Sequence, residues 1–200
     1  FIQLLEGRCP QGESLKAKFN QLEIPLECDM PVYLIIMRMD SVNDDINYSG
    51  VIRRFYSVQN VMEDGMQGRI RLFPIPYNHY QHIWLLQPRK DYILNEENWD
   101  NILHFIYGNL ETVQNVCVSS LKLKVSFVAS RYPANWDEIS ERYLQMEMLF
   151  RSGIGLNSEV LTTDDELLKN RERQRLAMSS QNETDKGFRQ LPGRGNSGIY

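Results

Sequence analysis

Residues 31–150 switch repeatedly between two apolar spacings, and this order limits the possible folds more than any other feature. Pro31–Asp40 is apolar at nearly every position, which is typical of a strand covered on both faces. The later segments repeat either the strand spacing of two residues or the helical spacing of three to four. The predicted elements are a strand at 31–40, a helix at 50–66, strands at 69–76 and 82–87, a helix at 99–121, a strand at 122–130 and a helix at 135–150.

This order predicts an α+β fold with the ferredoxin-like βαββαβ arrangement. Right-handed crossovers would then give one antiparallel sheet with the helices on one face. The last helix and an edge strand predicted at 159–162 extend that minimum at its C-terminal end.

The composition divides the chain into three parts. Residues 1–30 are predicted as a helical lead-in with helices at 1–8 and 13–22, where Leu15, Phe19 and Leu22 form an apolar stripe. Residues 31–163 form the predicted domain. Residues 164–200 are predicted as a charged helix, at 165–178, followed by a flexible linker rich in Ser, Asn, Gly and Arg.

The charge and the cysteines narrow the functional classes. A formal net charge of -4 argues against binding of a nucleic-acid backbone by this chain alone, since such binding requires clustered Lys and Arg. Cys9, Cys28 and Cys117 are odd in number and far apart, which argues against a disulfide framework or a zinc site. We therefore expect a cytoplasmic protein.

Several segments resemble GGDEF, or diguanylate cyclase, domains. Leu34–Asp40 is similar to the first strand of that fold, which ends in metal-binding acids. Val125–Ser130 and Trp136–Ile139 resemble the strand and helix that close it. The resemblance implies a nucleotide-cyclase-like fold that includes the extra C-terminal helix and edge strand.

The chain also resembles the middle region of AraC-type transcription regulators of Gram-positive bacteria, over about residues 1–168. The similar stretches are Leu4–Arg8, Leu22–Leu26, Pro31–Asp40, Ile83–Pro88 and Val160–Glu166. The resemblance implies a two-component response regulator in which this region links an N-terminal receiver, or a membrane-anchored sensor, to a C-terminal helix-turn-helix pair. The implied partners are the chain's own receiver and helix-turn-helix domains and a second copy in a homodimer. DNA would be bound only through the C-terminal domain, and this region would not contact a membrane.

The chain departs from an active cyclase at two places. Such an enzyme holds Mg²⁺ with carboxylates and needs glycines in the hairpin turn so that the backbone can approach a nucleotide. Here Arg38 stands where another acid is expected, and the turn at 76–81 contains neither glycine nor acid. The sequence therefore predicts a regulatory domain without catalytic residues, bound metal or cofactor.

Two groups of residues are candidate sites. Asp40, Asp44 and Arg38 could form a leftover ligand site after the first strand, although we favour a solvated turn rich in Asn and Asp as the explanation of the acids. His79, Tyr80 and His82 in the hairpin are predicted to be exposed and to contact a partner. Zinc binding by the two histidines would need a bent turn and a third ligand such as His104.

Alternative functions remain open at this point. Arg53, Arg54, Arg69 and Arg71 could bind an anion or a nucleotide, while the simpler interpretation makes the last two an exposed strand face. A small-molecule or nucleotide sensor would show a concave apolar pocket with a few convergent polar groups. An active cyclase with an unrecognised site is the third alternative.

Overall fold

The computed structural model describes residues 2–7, 12–40, 48–92, 98–151, 159–165 and 169. Residues 1–165 group into one compact unit, and of residues 166–200 only Lys169 is described. Most of the predicted helix at 165–178 and all of the predicted linker therefore lie outside the described residues. The helices are α1 (Ile2–Leu5), α2 (Glu13–Gln21), α3 (Tyr48–Met66), α4 (Asn98–Val116) and α5 (Ile139–Arg151). The strands are β1 (Tyr33–Met39), β2 (Ile70–Pro76), β3 (Gln81–Pro88), β4 (Val125–Ala129) and β5 (Leu161–Thr163).

The five strands form one mixed sheet in the order β2-β3-β1-β4-β5, so the α+β class is confirmed. The first three pairings are antiparallel, whereas β5 lies parallel to β4, with Phe127 opposite Leu161. The antiparallel sheet was predicted for the four strands of the βαββαβ core, and only the added edge strand β5 departs from it. The reason is that α5 connects β4 to β5, and such a crossover returns the chain in the same direction.

Helices cover both faces of the sheet: α3 and α4 pack on one face, as predicted for the βαββαβ core, and the added α5 covers the other. Tyr33, Ile35 and Met37 of β1 belong to the core formed with α3 and α4. Leu34 and Ile36 point to the opposite face, are fully buried and lie where α5 packs against β1. Because β1 has apolar side chains at both odd and even positions, both of its faces must be buried. The buried stripe of α5 packs on the face opposite α3 and α4.

The chain leaves α4 through a wider helical turn. The α-helix ends at Val116, and the predicted last turn at Cys117–Leu121 is a π-helix. Lys122 then adopts a left-handed conformation with φ 53, and the Leu123 amide donates to the Cys117 carbonyl at 2.9 Å. In the described ranges neither α4 nor any other helix has the length and apolar character required to cross a membrane.

Helix α2 packs onto the same compact unit through an aromatic pair. Phe19 of α2 meets Trp136 edge-on, with ring centroids 4.8 Å apart, and Leu15 is buried beside it on the same stripe. Leu22 is 57% exposed, so its predicted place in the stripe is wrong. The helix ends at Gln21, so Leu22 lies outside it and does not continue the buried stripe.

Buried polar side chains fix the loop that leads into β1. Gln87 is fully buried, and its amide nitrogen donates to the carbonyls of Glu27 and Met30 at 2.9 and 3.0 Å. Its amide oxygen accepts from the Glu27 amide at 2.7 Å, while Trp136 Nε1 donates to the Met30 carbonyl at 3.0 Å. Glu138 also accepts from the Asn135 amide at 2.9 Å, which is one half of a capping box at the start of α5.

Alanine substitutions in β1 test the burial of both faces. We expect Ile35→Ala and Ile36→Ala each to lower the free energy of unfolding by roughly 2–5 kcal/mol, because each removes a buried side chain and leaves a cavity. Urea denaturation measures both values, and Leu22→Ala is the exposed control, with a change of about 0.5 kcal/mol or less. An effect of Ile36→Ala as small as that of the control would contradict the cover by α5.

Candidate functional site

Three parts of the fold meet at one end of the sheet: the last residues of β1, the β2–β3 turn and the C-terminal half of α5. Arg38 lies opposite Gln81 across the β1–β3 pair. The Gln81 amide nitrogen donates to Glu147 of α5 at 3.0 Å. This end of the sheet contains Arg38 and Asp40, two of the three residues that the sequence predicted as a ligand site.

Arg38 connects β1 to the end of α5. Its Nε donates to Asp40 Oδ1 at 2.9 Å, and its Nη1 lies 3.4 Å from the Phe150 carbonyl oxygen. Its guanidinium also lies 4.4 Å from the centroid of the Phe150 ring. The last carbonyls of a helix lack helical partners and favour a cation, so Arg38 stabilises the C-terminal end of α5.

Both carboxylate oxygens of Asp40 are engaged. Oδ1 accepts from Arg38, and Oδ2 accepts a hydrogen bond from the Ser126 hydroxyl of β4. The Ser126 oxygen in turn accepts from the Val160 amide at 2.9 Å, next to β5. Burial raises the pKa of Asp40, and the hydrogen bonds from Ser126 and Arg38 oppose that rise only in part.

The residues at this end do not fit a Mg²⁺ site. Mg²⁺ prefers several oxygen ligands, and the side chain of Asp40 is only 8% exposed and already paired with a cation. A guanidinium 2.9 Å from the carboxylate opposes a second positive charge at that place. Within the described ranges no group of three His, Cys, Asp or Glu side chains could hold a metal ion. Asp44 lies outside those ranges, and its predicted role stays a prediction.

The β2–β3 turn is organised by an asparagine. The Asn78 side-chain oxygen accepts from the amides of Tyr80 and Gln81 at 2.8 and 2.9 Å. An Asx turn of this kind closes the hairpin without a glycine. His79 and Tyr80 are exposed, as the sequence predicted, and their contact with a partner remains a prediction.

His82 is placed differently from its prediction. It is 6% exposed, and its ring stacks on Phe55 of α3 with centroids 3.6 Å apart. Every residue of β3 is buried, so the polarity of this histidine misled the sequence analysis about its position. Burial lowers the pKa of His82 to about 4, which keeps the ring uncharged at neutral pH. A side chain in this position cannot meet a partner at the surface or join a zinc site with His79.

The residues of α5 at this end were not predicted from the sequence as part of a site. Glu147 is 6% exposed, and Arg151 donates to it from Nε at 2.6 Å. Tyr143 is buried beside Tyr77, with ring centroids 5.6 Å apart, and burial raises its pKa. The spacing of four between Glu147 and Arg151 was the available signal, but it usually marks an exposed helical ion pair.

A cavity of about 140 Å³ lies at the opposite end of the sheet, where Ile70 pairs with Pro88. Its walls combine apolar side chains with a few polar groups. The lining residues are Arg69, Ile70, Pro88, Tyr92, Asn101, Ile102 and Phe105. The Arg69 guanidinium lies 4.9 Å from the Phe105 ring centroid and 5.7 Å from that of Tyr92.

The predicted arginine group is not brought together as one site. Arg69 lines the cavity, whereas Arg71 forms an ion pair with Glu27 at 2.5 Å. Hydrogen bonds from Lys90 and Arg71 lower the pKa of Glu27. Arg53 lies exposed on α3, outside the residues that line the cavity.

Replacing Arg38 tests whether it compensates the buried charge of Asp40. In Arg38→Met we expect the free energy of unfolding to fall by about 1–3 kcal/mol near neutral pH, because a buried carboxylate loses its cation. A carboxyl whose pKa is raised by folding is stabilising when protonated, and this contribution is lost as pH rises through the folded-state pKa. The loss should therefore be larger at about pH 8 than at about pH 5 in urea denaturation.

The double variant Arg38→Met/Asp40→Asn is the matched control for this prediction. It removes the carboxylate together with its cation, so the additional pH dependence should disappear. An equal loss for Arg38→Met at both pH values would contradict the role given to this pair.

Comparisons with protein-family models, with curated proteins and with solved structures give no match to this chain. The resemblance to GGDEF domains and to AraC-type regulators therefore rests on the residues of the sequence itself.

Proposed function

We propose that this chain is a non-catalytic regulatory module with a degenerate GGDEF-like, ferredoxin-like fold, belonging to an AraC-type transcription regulator of the response-regulator kind. The observation that carries the proposal is the state of Asp40 at the end of β1. Its carboxylate bonds to Arg38 and Ser126 instead of facing an open site. A chain that uses this acid to hold its own strands together has lost the means to place Mg²⁺ against a triphosphate there.

The topology supports the fold named in this proposal. The antiparallel order β2-β3-β1-β4, with α3 and α4 packed on one face, is the order expected of a split βαβ arrangement. The additional α5 and β5 correspond to the extra helix and edge strand of the GGDEF-like pattern. The Asx turn at 77–80 takes the place of the glycine-containing hairpin turn.

The proposed role is to couple an input domain to a helix-turn-helix output in the cytoplasm. Its partners are the chain's own receiver and helix-turn-helix domains, and DNA is bound by the latter. The net charge of -4 agrees with a module that leaves the nucleic-acid backbone to another domain. Tyr80, 54% exposed at the tip of the hairpin, is the residue we expect to meet one of these domains.

A tyrosine substitution in the full-length regulator tests the coupling. We expect Tyr80→Ala to reduce the signal-dependent change in reporter transcription by about fivefold, the effect of losing roughly 1 kcal/mol at a contact. DNA affinity and the free energy of unfolding should stay unchanged, because Tyr80 is exposed and distant in the chain from the output domain. Tyr132→Ala is the matched control, since that tyrosine is 57% exposed and lies outside the hairpin.

Two results would contradict this proposal. One is an unchanged signal response in Tyr80→Ala, or an equal loss in the control variant. The other is Mg²⁺-dependent formation of a product from GTP by the purified chain, measured by chromatography, and its abolition by Asp40→Asn. An active diguanylate cyclase serves as the positive control for that assay.

The cavity at Arg69 favours a second candidate function, a sensor of a small organic anion. Ile70, Ile102 and Phe105 give the cavity an apolar wall, and Arg69 brings a cation to its rim. Among the described residues Arg69 has no ion pair with a carboxylate, so the guanidinium donors remain available to a carboxylate ligand. The first turn of α4, which includes Asn101, adds the positive end of a helix.

Benzoate and its uncharged analogue benzamide test this second function by thermal shift. Benzoate at about 100 times its Kd should add roughly 2.7 kcal/mol of stability, while benzamide should add much less because it lacks the charge. Arg69→Gln should abolish the benzoate effect, and Arg53→Gln on the exposed side of α3 should preserve it. Equal responses to the two compounds, or an unchanged response in Arg69→Gln, would contradict the anion site.

A further inference from the structure

Helix α5 carries a second apolar stripe on the side that faces away from the sheet. Its first stripe, which includes Met146 and Phe150, is buried against the second sheet face. Leu144 and Met148 lie four residues apart and are 53% and 61% exposed. Residues with this spacing lie on one side of a helix, one turn apart, so the two side chains form a continuous exposed patch.

We propose that this outer stripe of α5 binds the α5 of a second copy of the chain in an antiparallel pair. When two identical helices cross antiparallel about a twofold axis at Met146, positions at equal distances before and after it meet. Leu144 of one copy then faces Met148 of the other, and both patches are covered. The twofold axis makes this contact occur twice in each dimer.

The charges of α5 fit the same arrangement. Glu141 and Arg151 also lie at equal distances from Met146, so each would face the oppositely charged residue of the second copy. Both are exposed, and the Arg151 side chain is 72% accessible. Gln145 donates to Glu141 at 3.1 Å, and Arg151 donates from Nε to Glu147 at 2.6 Å, so each charged side chain has a partner within α5. A parallel pair would bring like charges together instead.

The size of the surface predicts a weak dimer. A helix of 13 residues, Ile139–Arg151, is about 20 Å long, and an interface confined to it buries less than the roughly 1,200 Å² of a standard complex. We expect a reversible, concentration-dependent association, which does not depend on the function proposed above.

Sedimentation equilibrium of the chain and its variants tests the inference. The wild-type chain should show dimers as the concentration rises from roughly 10 μM to 1 mM, the range suited to a small interface. Leu144→Lys and Met148→Glu should each weaken the dimer at least tenfold. Each places a charge against an apolar side chain at both of the contacts that the twofold axis relates. An equimolar mixture of the two variants should regain the dimer, since the introduced lysine then faces the introduced glutamate.

The mixture separates this geometry from other causes of a lost dimer. Thermal melting checks that both variants remain folded, as expected for substitutions at exposed positions. Ile52→Lys and Tyr56→Glu change an exposed pair of the same spacing on α3 and should leave the dimer intact. A wild-type chain that stays monomeric over the whole range, or a mixture that does not recover, would overturn the inference. Loss of the dimer in the α3 variants would overturn it as well.

Discussion

The burial of β1 on both faces is the constraint on which the rest of the structure depends. Its odd-numbered residues face α3 and α4, and its even-numbered residues from Leu34 to Ile36 face α5. A central strand covered in this way has no solvent-facing side, so polar groups are tolerated only near its ends. Arg38 and Asp40 are such groups, and at this position they must satisfy one another and their neighbours.

That constraint explains why Arg38 and Asp40 bond to neighbouring parts of the fold. Asp40 is buried near the end of the strand, and a buried carboxylate requires hydrogen bonds or a cation. Ser126 and Arg38 supply both, and through them the end of β1 is joined to β4 and to the last turn of α5. The network stabilises the fold while it occupies the groups that a ligand would need.

The sequence predicted the order and approximate bounds of the elements because apolar spacing is a local property. It failed where the outcome depends on distant residues. The parallel β5 and the cover by α5 follow from where the chain goes after β4. His82 lies inside a strand buried on both faces, so no alternation marked it as a core residue. Likewise, the contacts of Arg38 with Phe150 and of Asp40 with Ser126 join residues 112 and 86 positions apart, which no local pattern reveals.

Helix α5 is hydrogen-bonded to three other parts of the fold. Ser140 donates to the Leu5 carbonyl of α1 at 2.9 Å, and Glu147 accepts from Gln81 of the hairpin. The Phe150 carbonyl accepts a hydrogen bond from Arg38 of β1. The Glu147 contact with the hairpin has little exposure to solvent, so a displacement of the helix would leave buried polar groups without partners. A partner bound to the outer stripe of α5 therefore acts on a helix that is bonded to the N-terminal segment and to the hairpin at once. If this region links two other domains, as proposed, α5 would be the element through which a contact at one surface alters another.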